Sequence, residues 1–231
     1  MKWYLKEGFG LESKVLHNEF LTFEASIHYY HHKIALENLS ILLPCSKLIW
    51  MLRNPLPRAV SEYLHQAVKV KNYPSFQVLI QAELQALEAC SSHHSDFNRG
   101  FENKLFACLA KHKLKKYLIS TAFYAYFIHA WSAKFPIEQQ LFLDYEFFRK
   151  NPEGAIQKIH KFLNISTEVI SRSVWKFNKA DTRNGKAEIL RRSVSIPRKM
   201  QKKLETHISY QTKELYQVIG QDFGWSLLSL D

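Results

Sequence analysis

Glycine is scarce in this 231-residue chain: there are seven, and Gly8 and Gly10 are the only two before residue 100. That scarcity leaves few places for a glycine-rich phosphate loop of the kind whose backbone N–H groups cradle an anion. Cysteine is scarcer still. Cys45, Cys90 and Cys108 lack C-x-x-C spacing, which excludes a zinc knuckle and a thioredoxin-like motif, and Cys90 with Cys108 could close a disulfide around the polar stretch between them. No run approaches the roughly 18 uninterrupted apolar positions of a membrane span, and Met1 to Gly10 mixes Lys2, Lys6 and Glu7 among its apolar residues. A soluble chain without a leader or anchor is therefore the expectation.

Acidic residues are also few: 21 Asp plus Glu stand against 32 Lys plus Arg, a formal net charge of +11. Such a surplus points to an anionic partner: nucleic acid, nucleotide phosphate, glycan or lipid headgroup. With 46% apolar and 14% aromatic residues the chain has a core to bury, which rules out disorder. Two N-x-S/T sequons, at Asn38 and Asn164, would accept glycans in a secretory compartment.

Periodicity alternates helices with a few short hydrophobic strands, the pattern of an α/β domain. Residues 26–43 read as a helix with Ile34, Leu36, Ile41 and Leu42 on its apolar side, stopped by Pro44. Lys47 to Leu52 is a nearly continuous apolar run, which predicts a strand buried on both faces. Arg53-Asn54-Pro55 ends it, and a helix follows from about Pro57 to Lys69. Helical spacing over 76–90 buries Phe76, Leu79, Ile80, Leu84 and Leu87 and assigns Gln81, Glu83, Gln85 and Glu88 to water. A helix over 121–134, a second strand over 140–145, a helix capped by Asn151-Pro152 and a final helix from Pro197 to Gly220 complete the reading. Between the last two lies a basic loop, Lys176 to Arg192.

The strand followed by Arg53-Asn54-Pro55-Leu56-Pro57-Arg58-Ala59-Val60-Ser61 carries the chemistry. It sets Arg53 at the carboxyl end of a strand and Ser61 on the next helix, at the crevice where open α/β sheets bind ligands. A forked guanidinium with a hydroxyl is a phosphate clamp, and an Arg that only pairs with a surface carboxylate is the plainer alternative. This stretch resembles the R-[ND]-P-x-x-R-x-x-S motif of the sulfotransferase family. The resemblance implies that Arg53 and Ser61 hold the 3′-phosphate of 3′-phosphoadenosine-5′-phosphosulfate, that Arg58 supports the loop, and that Tyr63 matches a frequent aromatic.

Phe23-Glu24-Ala25-Ser26-Ile27-His28-Tyr29 is similar to the E-[KA]-[ST]-x-x-Y element of carbohydrate sulfotransferases, and Leu42-Leu43-Pro44 with Lys47-Leu48-Ile49 to the segment that follows it. This implies that Glu24 is the catalytic base that takes the acceptor's proton; by itself it reads equally as a solvated carboxylate near a helix N-terminus. Ala25, where heparan-type enzymes carry Lys, points to the branch containing N-acetylgalactosamine 4-sulfate 6-O-sulfotransferase. Phe123 to Glu146 and Asn151 to Leu163 resemble later family segments, and Cys90 and Cys108 sit where that branch carries a cysteine pair, implying a luminal disulfide. The basic loop resembles the one that closes over the nucleotide. Arg183 is its best match for a phosphate contact; Lys186, Arg191 and Arg192 are weaker ones, since solvated charges of this kind usually steer ligands without binding them.

The family's opening Gly/Ser/Thr loop has no match. Lys6-Glu7-Gly8-Phe9-Gly10 has neither the preceding strand nor the hydroxyl residue. The expectation is one sulfotransferase-like domain over 1–231, with resemblance over roughly 20–225: a P-loop-like three-layer α/β fold with a short parallel sheet flanked by helices, N-terminally incomplete. It would transfer a sulfuryl group from 3′-phosphoadenosine-5′-phosphosulfate to a glycosaminoglycan-type hydroxyl, or be an inactive remnant that binds nucleotide or anionic glycan. Relatives in the family imply a Golgi-lumen glycoprotein. No metal is expected, since His28, His31 and His32 lack a carboxylate or Cys to complete a set. An anionic glycan is the expected partner; no recognised nucleic-acid motif appears.

Overall fold

The computed structural model describes residues 23–26, 29–93, 101, 104–165, 190, 192 and 194–226. They fall into two compact units, Met1–Cys45 and Ser46–Asp231. The first holds a short turn of 3-10 helix, Tyr29–His31, and helix α1, Lys33–Leu42. The expected continuous helix from residue 26 is thus broken at His32, which has extended backbone and serves as the N-cap of α1. Its apolar side differs as well. Leu36 is buried, whereas Ile34, Ile41 and Leu42 are exposed.

The second unit is built on two parallel strands, β1 (Leu48–Leu52) and β2 (Gln140–Asp144), in register from Leu48↔Gln140 to Leu52↔Asp144. Only alternate residues of β1 are buried: Trp50 and Leu52 face the core, while Ile49 and Met51 are 43% and 41% exposed. The expected two-sided burial is corrected here. The period-2 geometry of a strand sends neighbouring side chains to opposite faces, and a continuous apolar run cannot by itself say which faces are covered. On the buried face Trp50 lies in T-shaped contact with Trp131, and its indole Nε1 donates to Gln140 Oε1 at 3.0 Å. Gln140 in turn donates to Phe135 O (2.8 Å), so this buried amide is satisfied.

Helix α2 (Pro55–Ala67) leaves β1 after two residues. Asn54 caps it through Leu56 N, and Pro55 and Pro57 fall in the first turn, where a missing N–H costs nothing. Helix α3 (Phe76–Ala89) is capped by Ser75 and buries Ile80 and Leu87 completely, each contributing about 1.5–3 kcal/mol. Helix α4 (Lys104–Lys111) follows, and Cys90 and Cys108 form a disulfide that ties it to the end of α3. The expected pairing is therefore present. Helix α5 (Tyr124–Ser132) is buried nearly all round, and after β2 come α6 (Tyr145–Lys150), α7 (Pro152–Leu163) and the long α8 (Arg198–Ile219), which packs on α5. In α7 only Ala155 is buried; the expected stripe of Ile156, Ile159, Phe162 and Leu163 is half-buried. Gly220 ends α8 at φ 64°, a left-handed conformation that glycine adopts without strain. No described helix is long and apolar enough to cross a membrane.

Candidate functional site

Because the two strands are parallel and in register, Leu52 and Asp144 end side by side, and the residues that follow them share one edge. Arg53 follows β1; Tyr145 and Glu146 follow β2. Arg53 Nε donates to Glu146 Oε1 at 3.0 Å, and the guanidinium lies over the Tyr145 ring at 4.6 Å. Tyr124 of α5 donates its hydroxyl to Arg53 O at 3.1 Å. The side chain is held on one edge and one face. Among the described residues, neither Nη1 nor Nη2 of Arg53 has a hydrogen-bond partner, which leaves its two-pronged end for a ligand. Glu146 Oε2 also lies 3.3 Å from Arg149 Nε in an ion pair, so this carboxylate is shared between two cations.

Arg53, Arg58, Ser61, Glu62 and His65 line an open cleft of about 300 Å³. Four of the five come from α2, where offsets of three and four residues place them on one helical face. The Ser61 hydroxyl is exposed and has no hydrogen-bond partner among the described residues. Arg58 is held from behind: Nη1 donates to Leu118 O at 3.1 Å and to Thr121 Oγ1 at 2.8 Å. The one acid of the cleft, Glu62, is neutralised by Lys116 at 2.6 Å. Burial pushes the Glu62 carboxyl up, but the Lys116 hydrogen bond and charge, with Arg58 adding, outweigh it and hold the group below the ordinary 4.5. His65 Nε2 lies 2.7 Å from Lys69 Nζ. With its carboxylate compensated, the cleft presents cations and a hydroxyl, a donor set suited to a phosphate.

The segment behind Arg58 is anchored by Glu83, which is wholly buried and not in water as expected: its offsets of three and four from Ile80, Leu79 and Leu87 place it on the apolar face of α3. Its Oε2 accepts from Leu118 N (2.7 Å) and Ile119 N (2.9 Å), and its Oε1 from Ser120 N (2.8 Å) and Ser120 Oγ (2.7 Å). Burial pushes its pKa up, and the four donors, which oppose that rise, do not cancel it. The strand ends are covered by the chain's later part: Trp225 Nε1 donates to Asp144 Oδ1 (2.9 Å), and Asn54 Nδ2 donates to Ser226 O (2.6 Å).

Of the residues singled out from sequence, Arg53 and Ser61 share this cleft and Arg58 supports it. Glu24 belongs to the first unit, where it is exposed and accepts a hydrogen bond from Ser26 Oγ. Arg183, Lys186 and Arg191 lie outside the described residues, as do His28 and the Lys6 to Gly10 stretch; Arg192 is exposed. Tyr63 is core, its ring 5.3 Å from that of Phe76. Sequence reasoning missed Glu83, Tyr124 and the roles of Tyr145 and Glu146. The signal for Glu146 was present: a charged residue follows each of the two strands within two positions. Among the described residues the His, Cys and acidic side chains close enough to share a metal are Cys90, Cys108 and His112, and the two sulfurs are already bonded to each other.

A parallel sheet with a cationic cleft at its carboxyl edge is the architecture of α/β domains that take ligands at the carboxyl ends of their strands. A model of the sulfotransferase domain matches residues 3–222, and the chain belongs to that family. Its relatives include heparan sulfate glucosamine 3-O-sulfotransferase 6 of Mus musculus, 24% identical over 97% of this chain and 61% of the relative. Another is the bifunctional heparan sulfate N-deacetylase/N-sulfotransferase 2 of Homo sapiens, 29% identical over 62% of this chain and 14% of the relative. The chain thus spans about half to three fifths of the length of the 3-O-sulfotransferases it matches. A sulfotransferase from Alicyclobacillus acidocaldarius has the same fold, with a TM-score of 0.58 at 18% identity over 94% of this chain and 76% of that one.

Proposed function

We propose that this chain transfers a sulfuryl group from 3′-phosphoadenosine-5′-phosphosulfate to a hydroxyl of a glycosaminoglycan-type acceptor, as one domain over 1–231. The observation that carries the reading is the pairing of the two-pronged end of Arg53 with the Ser61 hydroxyl on one cleft at the strand ends. The residues present fit such a donor: a guanidinium fork and a hydroxyl suit a terminal phosphate, and Lys116 removes the charge of the one carboxylate that would repel it. Bound there, the nucleotide supplies an activated sulfuryl group. Arg53 and Ser61 hold and orient its 3′-phosphate, with Arg183 as a further phosphate contact. Glu24 takes the proton of the acceptor hydroxyl as that oxygen bonds to sulfur and the bond from sulfur to the 5′-phosphate oxygen breaks.

The names of the relatives favour a heparan-type acceptor, whereas Glu24-Ala25-Ser26, with Ala25 in place of Lys, favours the branch of N-acetylgalactosamine 4-sulfate 6-O-sulfotransferase as a second reading. An anionic glycan, not nucleic acid, is the proposed partner, and the net charge of +11 suits it. The Cys90–Cys108 disulfide supports an oxidising compartment, and the family resemblance favours the Golgi lumen. Exposed Asn38 and Asn164 would be open to glycan addition there.

Calorimetry with 3′,5′-adenosine bisphosphate tests the donor site: wild type binds, and Arg53→Ala weakens binding at least about tenfold through loss of charge-assisted hydrogen bonds. Equal affinity in the two would refute the assignment. Transfer of labelled sulfate to heparan and chondroitin acceptors then separates an enzyme from a binding remnant. Glu24→Gln should lower turnover on the order of 10²–10⁴-fold while leaving bisphosphate affinity unchanged.

A further inference from the structure

We propose that Glu83 is a positioning residue for the cleft: from the buried face of α3 it fixes the 118–121 segment that holds Arg58 and leads into Tyr124, and so sets both cleft arginines. The inference rests on the cleft's being the phosphate site. Its inward half is the four bonds that Glu83 accepts from Leu118 N, Ile119 N, Ser120 N and Ser120 Oγ. Its outward half starts within the same few residues. Leu118 O and Thr121 Oγ1 accept from Arg58 Nη1, and Tyr124, three residues on, donates to Arg53 O. Every bond that restrains the Arg58 guanidinium thus ends on the segment that Glu83 anchors.

The residue type is specified by its partners. A carboxylate has about four lone-pair positions, and here four donors address it. Glutamine keeps one oxygen and turns an NH₂ group toward N–H donors that have nowhere else to go. Leucine would fill the space but leave four polar groups buried without partners. A buried carboxylate with no cation among its hydrogen-bond partners is costly in a helix whose other buried positions are apolar, so its presence needs a cause beyond packing. Ordering the back wall of an anion cleft is such a cause, because an Arg already held in place loses less freedom when it binds.

The test is binding of 3′,5′-adenosine bisphosphate to the whole chain, with Arg53→Ala as reference. Glu83→Gln should weaken binding about tenfold, and Ser120→Ala, which removes one of the four bonds and keeps the carboxylate, about two- to threefold. Arg58→Ala combined with either variant should lose less than the two single losses together, because both act through one guanidinium. If Glu83 were purely structural, substituting it would lower the melting temperature and leave affinity below the melt unchanged. If wild type binds more tightly than Arg53→Ala, yet Glu83→Gln and Ser120→Ala bind like wild type or their losses add to that of Arg58→Ala, the positioning role is overturned. Ser120→Ala carries the test if Glu83→Gln does not fold. Absence of binding by wild type overturns the donor-site reading and this inference with it.

Discussion

At the residue scale the cleft depends on compensation. Five side chains line it and one is acidic, so its ability to accept an anion turns on whether Glu62 remains paired with Lys116. The Lys116 contact and the Arg58 charge hold the Glu62 carboxyl below 4.5 against the opposing effect of burial. A carboxyl depressed in the folded state adds stability above its unfolded pKa, and that stability is lost as pH falls through the folded one. Lys116→Met should therefore flatten the acid limb of the melting-temperature profile below pH 4.5. At neutral pH it should weaken bisphosphate binding, because an uncompensated carboxylate then faces the phosphate. A variant with the wild-type acid limb and affinity would show that the pair is a surface contact of little weight. Arg53 and Ser61 were legible at this scale because their spacing after a hydrophobic strand is a local pattern. Glu83 was not. Its offsets of four from Leu79 and Leu87 and three from Ile80 put it on the apolar face of α3, but a carboxylate there reads as solvated, and only the donors of a segment 35 residues later make its burial tolerable.

At the element scale, the hydrophobic runs located both strands, while helix starts expected at residues 26, 57 and 121 fall at Lys33, Pro55 and Tyr124. Asn151 caps where its sequence suggests and Gly220 ends α8, whereas α2 begins at Pro55 with Asn54 as its cap, two residues before the expected start at Pro57. What failed was the environment of each element. Ile49 and Met51 lie on an exposed face of β1, and Ile34 and Ile41 on an exposed face of α1, because periodicity reports a side chain's direction and not what covers it. The Cys90–Cys108 bridge joins α3, which carries Glu83, to α4 across 18 residues. In the chain-entropy account a loop of this length contributes about 3 kcal/mol. Cys90→Ser with Cys108→Ser should lower the melting temperature by roughly 5–10 °C for a chain of this size. Denaturant and thermal melts with and without reductant would check it: an insensitive wild type would place the bridge outside the cooperative unit.

At the scale of the whole molecule, composition points to an anionic partner, and the proposed cleft would give it an address. A net charge of +11 describes the entire chain, whereas at the carboxyl edge of the sheet one guanidinium, that of Arg53, is held on one edge by Glu146 with its other end unengaged among the described residues. The family was recognisable from local motifs at an identity of 24% because the residues that meet a ligand are confined to short segments, while the packing between them is free to change. Roles that depend on distant segments, such as that of Tyr124 toward Arg53, could not be read until the chain was folded.

The register of β1 on β2 also sets where this chain can change length. Arg53 follows the Leu52↔Asp144 pair by one residue and Glu146 by two, so their ion pair is fixed by counting along two five-residue strands, not by the 93 positions that separate them. An insertion between residues 68 and 75 would leave that count intact. One residue gained or lost inside either strand would turn its later side chains to the opposite face of the sheet and part the arginine from its carboxylate.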